Sequence, residues 1–149
     1  MKVAIDTNVL AYAAGVNDPH RQSLALEVLN RLPKEVRILP VQVLGELFRV
    51  LVKKGELPLV QAREIVGRWR SMVPTVDTTE AVMMAAAELA SSHRLPIWDA
   101  VIFAAAASRS CSLLLSEDMQ EGFSWSGVTV VNPLKRPLDD RLAKILVTP

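Results

Sequence analysis

Short continuous apolar runs alternate with longer stretches whose apolar residues recur at helical spacing, and that alternation organises the chain. The first run, Val3-Ala4-Ile5, predicts a strand buried on both faces, because nothing polar alternates within it. Asp6 ends the strand, Thr7 and Asn8 can cap a helix, and Val9-Leu10-Ala11-Tyr12 continue one. Asp18 as N-cap and Pro19 in the first turn open the next helix, with Leu24, Leu26, Val28, Leu29 and Leu32 on its apolar side and Pro33 closing it. Val36-Arg37-Ile38-Leu39 predicts a short strand stopped at Pro40. A helix from Val41 to Lys54 follows, carrying Val43, Leu44, Leu47, Phe48, Leu51 and Val52. It ends on Lys53-Lys54-Gly55, cations at the negative dipole end and then a terminating glycine.

The second half repeats the scheme. A helix is predicted from Pro58 to Arg70 with Val60, Ile65, Val66 and Trp69 inward, then a brief strand at Pro74-Thr75-Val76. Asp77-Thr78-Thr79-Glu80 carries capping chemistry for a helix through Met84, Leu89 and Ala90. Pro96 punctuates, Ile97 to Arg109 reads as another helix, and Cys111 to Ser116 and Val128 to Val131 read as buried strands. Gly122 to Gly127 is expected to be a mobile loop, and Asp139 to Val147 a short terminal helix. Short strands separated by helices imply βαβ units, hence an α/β fold with a mainly parallel sheet covered on both faces. Without a repeat, a low-complexity tract or a linker, residues 1–149 read as one domain.

Composition narrows the function classes. Half of the 149 residues are hydrophobic and 22% are charged, as in a globular protein. The formal net charge of +1 names no partner, so a nucleic-acid binder of this composition needs a local basic patch or bound metal ions. The single cysteine, Cys111, rules out an internal disulfide and a cysteine zinc site and fits a reducing cytoplasm. His20 and His93 stand in no metal-ligand spacing. No stretch has the length and apolarity of a membrane span or a signal peptide, so a soluble intracellular protein is expected.

The chemistry then rests on carboxylates. Asp6 stands at the end of the first core strand, where it is either a cap or a site residue, since ligands of open α/β sheets bind at the carboxyl ends of strands. Asp118, after Leu113-Leu114-Leu115 and Ser116-Glu117, holds the corresponding place on a later strand. Glu46 lies within an apolar helix, either paired with Arg49 or Lys53 or aimed into a site. Asp99 sits in the first turn of its helix, where the dipole alone explains a carboxylate. Each is weak evidence singly. If all four face one crevice, their mutual repulsion calls for a divalent cation, and all-oxygen ligands suit Mg²⁺ or Mn²⁺.

With those residues in order, the sequence resembles the PIN-domain family, closest to the VapC-type ribonuclease toxins of type II toxin–antitoxin pairs. The matching motifs are Ile5-Asp6-Thr7-Asn8-Val9-Leu10, Glu46 in Val43-Leu44-Gly45-Glu46-Leu47, Asp99 in Trp98-Asp99-Ala100-Val101-Ile102, and Asp118 in Leu115-Ser116-Glu117-Asp118-Met119. The resemblance covers Lys2 to Pro133 and leaves the tail uncovered. The resemblance implies a three-layer α/β/α sandwich and a Mg²⁺- or Mn²⁺-dependent ribonuclease. It makes Asp6, Glu46, Asp99 and Asp118 the catalytic, metal-binding acids, with Asn8 and Ser116 supporting them by hydrogen bonds. Glu117 is expected at the edge of the site or facing water. Gln42 departs from the family, many members of which carry a small hydroxyl residue there. A cognate antitoxin and a homodimer are also implied.

The expected reaction is metal-assisted hydrolysis of an RNA phosphodiester, with Arg49, Lys53, Lys54, Arg94 and Arg109 as candidate phosphate contacts. Two other readings stand beside it. A PIN-fold module with little catalysis of its own would bind RNA or a regulatory partner. A phosphatase of the haloacid dehalogenase type would also begin with a strand ending in aspartate, but it expects an acid two positions later, where this chain has Asn8.

Overall fold

The computed structural model describes residues 1–147, so the last two residues of the predicted domain lie outside the described ones. In chain order the elements are β1 (Val3–Ile5), α1 (Thr7–Ala13), α2 (Pro19–Arg31), β2 (Arg37–Pro40), α3 (Val41–Lys53), α4 (Leu59–Met72) and β3 (Thr75–Val76). They continue with α5 (Glu80–His93), α6 (Ile97–Ser108), β4 (Leu113–Leu115), β5 (Ser124–Trp125), β6 (Val128–Val131) and α7 (Asp140–Ile145). The strands form one six-stranded sheet in the order β3-β2-β1-β4-β6-β5, flanked by helices as a three-layer α/β/α fold. Every pairing is parallel except β5 with β6.

Strand order places the site. The chain steps outward from β1 to β2 and β3, then returns past β1 to lay β4 on its other side, so the order reverses between β1 and β4. Such a switch point opens a crevice at the carboxyl ends of the two strands. β1 and β4 are in register, Ile5 opposite Leu115, and both residues are fully buried. The residues that follow them, Asp6 and Ser116, therefore emerge side by side.

The helices hold this centre from both sides. α6 is apolar all round and buried from Ala100 to Ala106, as befits a helix enclosed by other elements. Its alanines allow α5 to pack closely along it. Helix α2 buries Ala25, Val28 and Leu29, an i, i+3, i+4 stripe, and its C-cap residue Leu32 is buried beyond them. Leu26 falls outside that stripe and is exposed, contrary to its expected place on the apolar side. The same spacing argument corrects α4: Ala62 is buried with Ile65, Val66 and Trp69 packed behind it, while Val60 projects into solvent.

Gly122 to Gly127 is not simply a loop. Ser124 and Trp125 pair antiparallel with Thr129 and Val128, and Ser126 and Gly127 both have positive φ, the geometry of a tight two-residue hairpin turn. Phe103 of α6 anchors the hairpin, its ring 5.5 Å from Phe123 and 6.2 Å from Trp125.

Candidate functional site

Asp6 caps α1 and lines the cleft beside it. Its backbone N–H donates to Leu115 O at 2.9 Å, extending the β1–β4 ladder one residue past the strand. The carboxylate then turns back over the start of α1, where Oδ1 accepts from Thr7 N at 2.7 Å as the N-cap. Oδ2 accepts from Ser116 Oγ at 2.7 Å and from Asn8 Nδ2 at 3.2 Å. Only 4% of Asp6 is exposed, and burial pushes its carboxyl up to about 6. The bonds from Ser116 and Thr7 oppose that rise, and the charges of Asp99 and Glu46 add to it.

Ser116 and Asn8, expected from the sequence to support the acids, both hydrogen-bond Asp6 Oδ2. The Ser116 side chain also accepts from Met119 N at 3.2 Å, so a single fully buried hydroxyl ties Asp6 to the turn beyond β4. Asn8 Oδ1 accepts from Glu117 N at 3.0 Å, pinning the same turn to α1. Asp118, on that turn, is exposed, and its side chain makes no hydrogen bond or ion pair among the described residues.

Glu46 points into the site rather than along its helix. Its Oε2 accepts from Thr7 Oγ1 at 2.8 Å and its Oε1 from Gln42 Nε2 at 3.4 Å. Among the described residues it forms no ion pair with Arg49 or Lys53, so the pairing alternative falls away. Asp99 does not cap α6: the N-cap position is Pro96, with no side-chain bond. Its half-buried carboxyl is pushed up by burial, then by the charges of Glu46 and Asp118. Asp6, Glu46, Asp99 and Asp118 all line one cleft of about 390 Å³.

The cations divide. Arg49, Lys53 and Lys54 line the same cleft, one and two turns along α3 from Glu46. Arg94 caps the far end of α5 and does not line the cleft. Arg109 sits past the end of α6, about 15 Å along the helix from Asp99, and lines a different cavity with Ala104 and Trp125. The expected phosphate-contact role is therefore not supported by the position of either residue.

Sequence reasoning missed Tyr12 and Arg21, and took Thr7 for a cap alone. Tyr12 lines the cleft and donates its hydroxyl to Glu117 Oε1 at 2.7 Å. Arg21 Nε donates to Glu117 Oε2 at 2.9 Å. Burial, then the hydrogen bond to Glu117, pushes the Tyr12 phenol up to about 12, so it stays a donor. Glu117, expected at the site's edge or facing water, has both oxygens engaged. Nothing local announces these contacts, since the partners lie 105 and 96 positions apart.

The donor set suits a hard divalent cation: carboxylate oxygens facing one cleft, with repulsion that only positive charge relieves. Among the described residues no three acidic, histidine or cysteine side chains stand close enough to close around a single ion.

Residues 3–123 match the family model described as PIN domain. Solved structures share the fold. Mycobacterium tuberculosis VapC20, described as a sarcin-ricin loop cleaving toxin, is 22% identical with a TM-score of 0.67, over 78% of this chain and 90% of that one. A toxin–antitoxin complex from Klebsiella pneumoniae is 17% identical with a TM-score of 0.68, over 89% and 98%. DNA-bound VapBC from Salmonella typhimurium is 16% identical with a TM-score of 0.63, over 87% and 96%. No protein of curated function matches the chain by sequence.

Proposed function

The chain belongs to the PIN-domain family, and from that premise we propose that it is a Mg²⁺- or Mn²⁺-dependent endoribonuclease, the toxin of a type II toxin–antitoxin pair, acting as a single domain. The observation that carries the reading is the convergence of Asp6, Glu46, Asp99 and Asp118 on one cleft at the switch point of the sheet. A bound divalent ion would supply a water of lowered pKa and neutralise charge building up on the phosphate.

The protein's own residues prepare that chemistry. Asp6 is held anionic against burial by Ser116 and the Thr7 N–H, so it is a fixed oxygen ligand. Thr7 aims Glu46 across the cleft from it. Asp99 and Asp118, less constrained, complete the acidic wall, and Asp99, its carboxyl raised by burial and then by its acidic neighbours, would be the group to accept a proton from a water held there. Arg49, Lys53 and Lys54 offer phosphate contacts beside an acidic centre that alone would repel RNA. An RNA substrate draws support from the neighbour described as cleaving the sarcin-ricin loop. An antitoxin partner draws support from neighbours solved as toxin–antitoxin complexes. A homodimer and a cytoplasmic site of action complete the reading; no described helix is long and apolar enough to cross a membrane.

The test is cleavage of total RNA in Mg²⁺, with and without EDTA, by wild type, Asp6→Asn and Asp118→Asn. EDTA-sensitive cutting that both variants lose by at least 100-fold is expected. Undiminished cutting by either variant, or in EDTA, overturns the assignment. An intact fold with carboxylate-dependent RNA binding and no cutting would establish the binding-module alternative instead.

A further inference from the structure

Among the acids of the cleft, Asp118 is the exposed one; it lies on the turn after β4 and, like Asp99, has no side-chain bond among the described residues. Its neighbours are the opposite. Met119 is buried and its N–H is held by Ser116 Oγ. Glu117 is held at three points: its N–H by Asn8 Oδ1 at 3.0 Å, Oε1 by the Tyr12 hydroxyl at 2.7 Å, and Oε2 by Arg21 Nε at 2.9 Å. Arg21 is fixed in turn by Asp18 Oδ2 at 2.8 Å, and its guanidinium lies over the Tyr12 ring, 5.7 Å from the centroid. A chain of contacts thus runs from the N-cap of α2, through Arg21 and Glu117, to α1.

We infer that Glu117 is a positioning residue and not a metal ligand: gripped by Tyr12 and Arg21, it sets the turn that presents Asp118 to the cleft. The inference rests on the proposed metal site and deepens it. The charge argument agrees with the geometry. A free Glu117 would add a fifth carboxylate beside four that already repel one another, and Arg21 cancels that charge where it stands. Arg21 thereby decides which of two adjacent acids faces the cation. Glu117 does not line the cleft, whereas Asp118 does.

Mn²⁺ titration of the whole chain, read by calorimetry or electron paramagnetic resonance, tests this against thermal melts of the metal-free protein. Glu117→Gln removes the negative charge and one of the two acceptor oxygens, Arg21→Gln removes the cation, and Tyr12→Phe removes one hydroxyl. Loss of an outer contact that orients a ligand typically weakens metal binding about 10- to 100-fold. At least that lower figure is expected for Glu117→Gln and Arg21→Gln, and a smaller loss for Tyr12→Phe, each with a melting midpoint near wild type. If Glu117→Gln fails to fold, Arg21→Gln, on a more exposed side chain, carries the same test. Wild-type Mn²⁺ affinity in Arg21→Gln overturns the inference, as does weakening by Glu117→Gln while Arg21→Gln binds Mn²⁺ as well or better, since Glu117 would then be a ligand. A lowered midpoint with unchanged affinity also overturns it, because the clamp would be merely structural. Asp118→Asn separates the two levels: if it binds Mn²⁺ like wild type, the metal role of Asp118 fails and the clamp fails with it. If Asp118→Asn is weakened and the clamp variants are not, only the clamp fails.

Discussion

The hydroxyl of Ser116 donates to Oδ2 of Asp6 at 2.7 Å and joins the ends of two central strands whose last residues, Ile5 and Leu115, are in register. The bond holds an anion where burial disfavours one. A hydrogen bond to a charged group contributes about 1.5–3 kcal/mol, and removing one partner leaves the other buried and unsatisfied. Ser116→Ala should therefore lower the unfolding free energy by about that amount at pH 7.5, measured by urea denaturation. It also deletes the largest influence holding the Asp6 carboxyl down, so the pH midpoint of Mn²⁺ binding should move up. An unchanged midpoint would show that Ser116 does not support the anion.

The raised carboxyl of Asp6 also gives a pH dependence whose sign is unusual. Its value is about 6 in the fold against 3.8 for the free side chain, so the folded state binds a proton more readily than the unfolded one. The anion then destabilises the metal-free fold at neutral pH, by roughly 3 kcal/mol at most. Stability is regained as pH falls through about 6 toward 3.8. Asp99, also raised, acts in the same direction. Asp18, Glu27 and Asp139 act oppositely: held low by the His20 N–H, Arg136 and Arg141 respectively, their contributions vanish only below the ordinary carboxylate range. Metal-free melts should peak in mildly acid buffer, and Asp6→Asn should raise the midpoint at pH 7.5 and flatten that rise. A wild-type midpoint that only falls from pH 7 to 5 would contradict the assignment of this charge.

How much of this was legible beforehand depends on sequence distance. The runs Val3-Ala4-Ile5 and Leu113-Leu114-Leu115 read as buried strands because local patterning suffices for that. Their adjacency, which brings Asp6 and Ser116 together, is a property of strand order and was only a condition. Glu46 was ambiguous because a helix places Arg49 and Lys53 within its reach, and only the tertiary contact with Thr7 decides. The hairpin at Ser124–Trp125 hid behind its glycines, although Ser126-Gly127 is itself a turn signal. Tyr12 and Arg21 gave no sign at all, and Glu117 was placed only at the site's edge or facing water, since each is ordinary alone and meaningful only as a group.

Thr7 is the least obvious of the site's supports, and it can be tested without disturbing charge. Its hydroxyl reaches Glu46 from the first turn of α1, while its backbone N–H caps onto Asp6. Thr7→Val keeps the shape and the backbone bond and removes only the hydroxyl. Glu46 then loses its shorter contact and keeps the longer one to Gln42 at 3.4 Å. Mg²⁺-dependent cleavage should drop about 10-fold through a higher metal requirement, recoverable in part by excess Mg²⁺. Thr7→Ser, which retains the donor, should stay near wild type. Equal losses in both variants would point to packing and not to the hydroxyl.

The cations of α3 give a test that separates the mouth of the cleft from the rest of the surface. Arg49, Lys53 and Lys54 follow Glu46 along one side of the helix, line the cleft and form no ion pair among the described residues. Unpaired cations beside an acidic centre suit successive phosphates of a single strand, each neutralised phosphate releasing counterions. In an Asp6→Asn background, where cutting is blocked, Arg49→Gln and Lys53→Gln should each weaken binding to single-stranded RNA several-fold. Each should also flatten the slope of log affinity against log salt by about 0.7. Arg109→Gln is the internal control, because Arg109 lines another cavity beyond the opposite end of α6. It should leave both affinity and slope unchanged. A matching loss at Arg109 would mean that RNA binds by diffuse charge over the surface, and that the stripe beside Glu46 does not guide it to the carboxylates.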